Sequence, residues 1–458
     1  MSVILFACII VSSYFLNGTV CLVCTMLYAV HLVVRKGRCA LRFTLPAALI
    51  SVLAVSRMLL LCTPSFALAE GDVEAVCAVV VQDSTVSRWN RRAVVSLSEC
   101  FASGGVSASA RGVVSAGYPE GVVLLAGDTV LLVGGMDEYG FDADECIVLE
   151  RGAASRSRNR LMERGRSLIA GDGGLEGELS MMLLLGCTDM PDFPLTDLAR
   201  SSGTSHVLSL SGMHLSLFAT LLRLVLVPLV GRRRGRALAL AMVFFYVFTI
   251  GPKPSVVRAF LLSLVFLTGT FRRSDDALYV TFMLQMVLFP RTVSSLAGAL
   301  SYLSLLGIMA LAKPVARMID EIVLLPSPLV SSASASMAAL VTTCPLSYVV
   351  FGSYQLSAIV TSAPVSLLIY LYMIASLLPV PDTVMQVLYV AIVKTMEAGS
   401  LVPLARSPMP YFAFLASLLL LCALSCILTT YRRTRACGRS TMTVRRRFRA
   451  FFLRLLLR

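Results

Sequence analysis

The chain is short of charge and nearly without histidine and tryptophan. Charged residues make up 14% of its 458 positions, against about 25% in an average soluble domain. That scarcity argues against an ordinary soluble fold. There are three histidines and one tryptophan. The thirteen cysteines show no paired metal-ligand spacing. Cys21 and Cys24 have the two-residue gap, but they stand in an apolar run with no second pair. No glycine-rich loop ends in Lys-Ser or Lys-Thr, so nothing reads as a nucleotide-driven motor. Paired carboxylates inside the apolar runs, which small-molecule carriers often show, are also missing. Glu397 stands there with Lys394 one turn away, a candidate ion pair inside the bundle.

What the chain does have is apolar sequence. Hydrophobic residues reach 57%, and several runs exceed the length a bilayer requires. Only helices or closed barrels satisfy their backbone in lipid, so these runs imply an α-helical polytopic membrane protein. Three runs lie at 3–16, 19–34 and 41–62, and nine more near 204–231, 236–252, 255–271, 276–290, 292–312, 332–351, 354–379, 383–403 and 408–430, about twelve spans in all. The run at 354–379 reads as one helix or two shorter ones. The first run is short and reads either as a signal peptide or, preferred here, as part of a retained hairpin turning at Asn17-Gly18. The net charge of +14 collects at Arg35–Arg42, Arg232–Arg236, Arg272-Arg273 and the tail after Tyr431. With about twelve spans, all these clusters fall on the inner side, as the positive-inside rule requires, and both termini are cytoplasmic. His31 then lies at the inner boundary, and Arg57 inside the third run snorkels or pairs.

Five segments follow: membrane helices over 1–67, a small β domain over 68–153, a linker with an amphipathic or re-entrant segment over 154–202, a membrane core over 203–431, and a basic cytoplasmic tail over 432–458. In the second, β-branched runs at Val73–Val81, Ala93–Leu97, Val113–Ala116, Val122–Leu125, Thr129–Val133 and Ile147–Leu149 alternate with turn residues at Gln82-Asp83-Ser84, Gly104-Gly105, Gly127-Asp128 and Gly134-Gly135. By parity this domain is extracytoplasmic. There, two of Cys77, Cys100 and Cys146 could pair. Thirteen acids and five arginines between Glu70 and Arg151 give it a charge of about −8, which would repel a polyanion. Its exception is Arg88-Trp89-Asn90-Arg91-Arg92. Arginine beside an aromatic suits single-strand stacking, and a solvated turn or a membrane-anchoring tryptophan suits the same residues. The linker carries a basic helix-like stretch from Arg156 to Arg166, then an apolar segment at Glu176–Cys187 that Pro191 and Pro194 break.

The membrane core opens on Gly203-Thr204-Ser205-His206-Val207-Leu208-Ser209-Leu210-Ser211-Gly212-Met213-His214. Two of the three histidines and several hydroxyls stand at a membrane boundary, where unpaired polar groups are costly. In one continuous helix Ser211 and His214 are neighbours three apart, with His206 roughly 80° round from His214. Gly212 permits close backbone approach or a break. The stretch reads as a functional motif or as a helix–helix contact in which serine and histidine cap each other. Fifty residues on, Gly251-Pro252-Lys253-Pro254-Ser255 turns on the outer side, and Arg258 falls one turn into the next helix, placed to snorkel or to anchor a phosphate or helix end.

These residues resemble the ComEC-type competence proteins. The stretch from Ser202 to His214 is similar to that family's signature, which ends in Ser-Gly-Leu-His, with Met213 in the leucine place. Gly251 to Ala259 resembles its Gly…Ser…Arg-Ala segment, and Leu288-Phe289-Pro290, Leu305-Leu306-Gly307-Ile308, Thr343-Cys344-Pro345, Phe351-Gly352 and Ala363-Pro364 follow in order. The likeness covers about 180–380. It departs at Thr361, where members often have Asn, and at Ala299-Leu300-Ser301, where they often have Gln-Leu-Ser. No histidine follows His214, so the metallo-β-lactamase-like domain of many members is not expected in this sequence.

The resemblance implies an OB-like β domain and a channel in the bacterial inner membrane that passes single-stranded transforming DNA inward, with a separate motor and DNA receptor as partners and no cofactor. His206, Ser209, Ser211, Gly212, His214, Ser255 and Arg258 are then its motif residues, and Arg88, Trp89, Arg91 and Arg92 its candidate DNA contacts. Two other readings stand beside it: a transporter or membrane scaffold of the same fold, and an intramembrane hydrolase. The latter rests on Ser209-Leu210-Ser211-Gly212, which comes close to the Gly-x-Ser-Gly of rhomboid-type proteases but needs a histidine from another helix. A metal site at His206 and His214 would need further ligands from elsewhere, and none is assigned.

Overall fold

The computed structural model describes residues 2–409, except 37–40, 68–71, 87–89, 103–105, 120, 138–139, 170–173, 188–193, 211, 268–273, 323–325 and 379. The run at 408–430 from its third residue onward, the tail, and the side chain of His31 lie outside the described residues. The chain forms two compact units. One holds Met1–Asp197, Ser205–Ser301 and Leu368–Ile392; the other holds Leu198–Thr204, Tyr302–Leu367 and Val393–Arg458.

The larger unit begins with α1 (Ser2–Tyr14), α2 (Gly18–Lys36) and α3 (Leu41–Cys62), close to the three apolar runs. Asn17 makes the first turn. Its N–H donates to the Ser12 carbonyl at 2.9 Å, and its side-chain oxygen accepts from the Val20 N–H at 3.2 Å, capping α2. Arg57 is exposed, and its Nη1 donates to the Val287 carbonyl at 2.7 Å.

The β domain comprises β1 (Ser65–Phe66), β2 (Val73–Val86), β3 (Arg91–Ala102), β4 (Val106–Arg111), β5 (Val113–Tyr118), β6 (Asp128–Asp137) and β7 (Gly140–Arg151). β2 pairs antiparallel with β3 and β6, β6 with β7, and β3 with β5, while β5 and β7 pair in parallel. These five strands therefore close a ring. β4 extends it from the far half of β3, and β1 adds to β4. Alternate residues such as Val76, Ala78, Val95, Ala116, Leu132 and Phe141 fill the interior.

Three expectations change here. Val122–Leu125 is not a strand: its Leu124 is fully buried, donates to Ser84 Oγ at 3.2 Å and accepts from the Ser84 N–H at 2.9 Å. Gln82-Asp83-Ser84 is not a turn but part of β2, where shifts of register against β3 bracket Gln82. Gly134-Gly135 lies inside β6 at another such shift, where the Gly134 backbone at φ 158° lets the Asp142 main chain come close. Cys77, Cys100 and Cys146 are free thiols, and burial pushes the Cys146 thiol up to about 11.

The rest is helical: α4 (Ala153–Ile169), α5 (Leu175–Leu184), α6 (Pro194–Ser201), α7 (Ser205–Leu208), α8 (Gly212–Val230), α9 (Arg232–Ile250), α10 (Pro254–Leu267), α11 (Ser274–Leu288), α12 (Pro290–Val293), α13 (Leu296–Ile322), α14 (Ser327–Phe351), α15 (Ala358–Ser376) and α16 (Asp382–Ser400). Pro194 starts α6 rather than ending α5, because a first-turn proline gives up no intrahelical bond. The run at 354–379 is a single helix preceded by an extended Tyr354 that bridges Ala405. Lys394 and Glu397 are exposed on α16, not an interior pair.

Among the described residues, four helical stretches are long and apolar enough to cross a membrane: Ser205–Val230, Leu296–Glu321, Leu329–Phe351 and Ala358–Ser376. The protein is thus a mostly helical membrane protein with a separate sheet domain.

Candidate functional site

The signature stretch is not one helix. α7 ends at Leu208, the chain is irregular at Ser209 and Leu210, and α8 begins at Gly212. The break separates the histidines. His206 is exposed, as is Ser209, whose Oγ donates to the His206 carbonyl at 3.2 Å, whereas His214 is fully buried in the first turn of α8. Ser211 lies outside the described residues. Leu210 and Leu215 pack with Val243, Ile250 and Val256, so the break sits in apolar surroundings.

A broken helix in such surroundings leaves carbonyls that need donors. The second motif segment supplies one. Ser255, in the first turn of α10, donates its hydroxyl to the Leu210 carbonyl at 2.7 Å. One turn later Arg258 lies against Gly212: a Cβ there would stand 2.9 Å from Arg258 Nη2 and 3.1 Å from Ala259 Cβ. The glycine is the space the guanidinium occupies. The Arg258 Nη1 donates to the Ser301 carbonyl near the start of α13, a main-chain anchor within the helices. The acceptor is main chain, so Ser301 can stand in a segment that departs from the family pattern without loss of this bond. Gly212, Ser255 and Arg258 thus come together, with His214 buried on the turn that follows Gly212.

The turn before α10 is fastened separately. Arg158, only 4% exposed, donates to both carboxylate oxygens of Asp83 at 3.1 and 2.7 Å and to the Thr249 carbonyl at 3.3 Å. It passes directly against Gly251, whose φ of 94° and missing side chain make the approach feasible. Lys253 donates to the Gly186 carbonyl, and Tyr246 to the Leu184 carbonyl at 2.7 Å, which docks the end of α5.

In the smaller unit, the residues that lead into the signature form their own polar cluster. Ser202 and Thr204 are buried with their hydroxyls 2.7 Å apart. The Ser202 carbonyl accepts from Ser357 at 3.0 Å and Thr361 at 3.2 Å. Gln355 donates to the carbonyls of Ser201 and, at 2.8 Å, Val402. Gly203, at φ 73°, leaves room for the Gln355 side chain. Gly307 lets α13 and α14 meet at Ala338 and Thr342, Pro345 and Pro364 lie inside α14 and α15, and Gly352 closes α14 in the left-handed conformation at φ 66°.

Arg91 and Arg92 begin β3, with Arg92 exposed and Arg91 partly so, while Arg88 and Trp89 lie outside the described residues. No group of three or more His, Cys, Asp or Glu among the described residues could hold a metal ion.

Reading the residues alone missed Arg158, Asp83, Gln355 and the docking role of Lys253. Arg158 sits in a run of arginines at alternate positions, and Asp83 in what looks like a turn. A signal was available for Gly251 and Gly203, glycines inside recognised segments, but not for their partners.

The family model described as Competence protein matches residues 183–434, more than half of the chain. No curated protein and no solved structure matches.

Proposed function

Because the chain belongs to the competence protein family, we propose that it conducts single-stranded transforming DNA through the bacterial inner membrane into the cytoplasm. The observation that carries this reading is the extent of the match, which takes in the whole contact of Gly212, Ser255 and Arg258 and the polar cluster around Ser202. In the proposed topology about twelve spans cross the membrane, both termini are cytoplasmic and the β domain is outside, a reading supported by the placement of the basic clusters. DNA would be delivered by a receptor and moved by a separate motor, and the chain itself would act as conduit and not as enzyme, without a cofactor.

The order in which β2, β3, β5, β7 and β6 close their ring supports an OB-like reading of the outer domain. In such barrels the loop between the first two strands often touches oligonucleotides. Here the residues between β2 and β3 are Ser87-Arg88-Trp89-Asn90, followed by Arg91 and Arg92 at the start of β3.

The test is uptake of labelled DNA by cells with and without the gene, with outer binding and cytoplasmic arrival scored separately. Deletion is expected to abolish arrival and leave binding intact, and His214→Ala to do the same at normal protein level. Unchanged arrival on deletion would favour the transporter or scaffold reading.

A further inference from the structure

α4 carries five arginines against one glutamate, and packing divides them. Ser155, Arg158 and Met162 form its buried face, where Arg158 is met by the Asp83 carboxylate. Arg156, Arg160 and Arg164 follow one another at four-residue steps, and all three are exposed. Each step advances about 6 Å along the axis and about 40° round it, so the three make a stripe roughly opposite the buried face. Among the described residues, none of the three guanidiniums has an ion pair or a hydrogen bond. Glu163 is exposed beside the stripe, and its carboxylate accepts from the Asn159 amide at 2.7 Å.

The helix is held from behind. Ser155 donates its hydroxyl to Asp128 of the sheet domain, and Arg158 donates to the Thr249 carbonyl of α9 at 3.3 Å. Met162 and Ile169 pack with Met181, Leu185 and Cys187. The apolar residues of α4 are thus turned to protein. On its exposed side Leu168 is the one large apolar side chain. A helix resting on lipid buries an apolar face in it, so a solvated row of cations suits a polyanion better than a bilayer.

We infer that Arg156, Arg160 and Arg164 bind successive backbone phosphates of a single strand on the outer side of the membrane. The inference rests on the channel reading and adds the track that holds the strand after the sheet domain. The steps of the stripe are close to the separation of neighbouring phosphates along an extended strand. A guanidinium takes a phosphate through two parallel hydrogen bonds. The sheet domain carries about −8, so a strand that reaches this surface needs a local row of cations.

Spheroplasts of a host without competence genes, expressing the full chain, present only its outer side to added fluorescent oligothymidylate. Bound label is read across a salt series and corrected for the amount of chain. Arg156→Gln, Arg160→Gln and Arg164→Gln are each expected to flatten the slope of log affinity on log salt by about 0.7, which is about fivefold in affinity near 0.1 M salt. The triple variant should lose about a hundredfold. Glu163→Lys should steepen the slope by about 0.7 and tighten binding, a gain that misfolding cannot imitate. Arg111→Gln, exposed at the end of β4, should change neither. If a glutamine variant fails to reach the membrane, the lysine variant at that position replaces it and should keep the slope.

Full binding by the triple variant, or equal loss in Arg111→Gln, overturns the proposal. So does tighter wild-type binding in a host membrane depleted of anionic lipid, since that names the lipid headgroups as occupant. In cells, arrival of DNA that needs the gene but tolerates the triple variant sinks the stripe and leaves the channel reading standing. Arrival that does not need the gene sinks the channel reading, and the spheroplast binding then decides the stripe alone.

Discussion

Two arginines in this molecule each lie against a glycine from the same motif segments, and they do different work. Arg158 lies against Gly251 and grips the Asp83 carboxylate of the sheet domain. Arg258 lies against Gly212 and holds a main-chain carbonyl of α13. A planar guanidinium needs flat space beside the backbone, and a glycine provides it. The first arrangement is a clamp whose charge is met by a carboxylate. The second ties α10 to α13, beside a broken helix and a buried histidine. The position of a glycine therefore marks where an arginine goes, and the identity of its acceptor tells what the contact is for.

The clamp should be the more costly to break. Asp83→Ala leaves Arg158 buried without its carboxylate and is expected to destabilise the fold by about 3–5 kcal/mol. Thermal unfolding of the purified protein checks this, and a normal melting temperature would show that the pair contributes little. Gly251→Ala comes next. Its φ of 94° disfavours a side chain and Arg158 occupies the space, so about 1–3 kcal/mol should be lost, and in a double-mutant cycle with Arg158→Ala only the crowding part should appear as coupling.

Arg158 was unreadable in the sequence because nothing local separates it from Arg156 and Arg160. Only the packing of α4 buries one and exposes the others. Asp83 was hidden for a similar reason: polar residues inside β2 look like a turn unless the shifts of register are known. By contrast, the three N-terminal helices, the Asn17 turn and most strands followed from apolar runs, β-branched runs and turn chemistry, which are local. The grouping of Gly212, Ser255 and Arg258 was only half legible. Their spacing in two motif segments was visible, but the helix break at Ser209-Leu210 depends on a hydroxyl from another helix. His206 and His214 show the consequence, since helical spacing put them on one element and the break puts one outside and one inside.

The second arrangement predicts a loss of function rather than of fold. Arg258→Lys keeps the charge but not the fork, and is expected to abolish cytoplasmic arrival of DNA with normal protein level and outer binding. Full activity of the lysine variant would show that charge alone suffices and would dissolve the contrast with Arg158. Ser255→Ala removes one hydrogen bond to the Leu210 carbonyl, worth about 1 kcal/mol, and should lower the melting temperature slightly while reducing uptake less than Arg258→Lys does.

The smallest effect at neutral pH concerns the sheet domain's side of the comparison. Burial raises the Cys146 thiol from 9.0 to about 11 and the Tyr118 phenol from 10.0 to about 12. Both groups are neutral when protonated, so the fold favours the protonated form. Their contribution is complete below the ordinary values and is lost as pH rises through 11 and 12. Alkali should therefore loosen the β barrel. Maleimide labelling of Cys146 reads this directly: slow at neutral pH relative to the denatured chain, and rising steeply above pH 9 ahead of any loss of helical signal. Labelling as fast in the native chain as in the denatured one would mean that Cys146 is not held in the barrel wall as the structure places it.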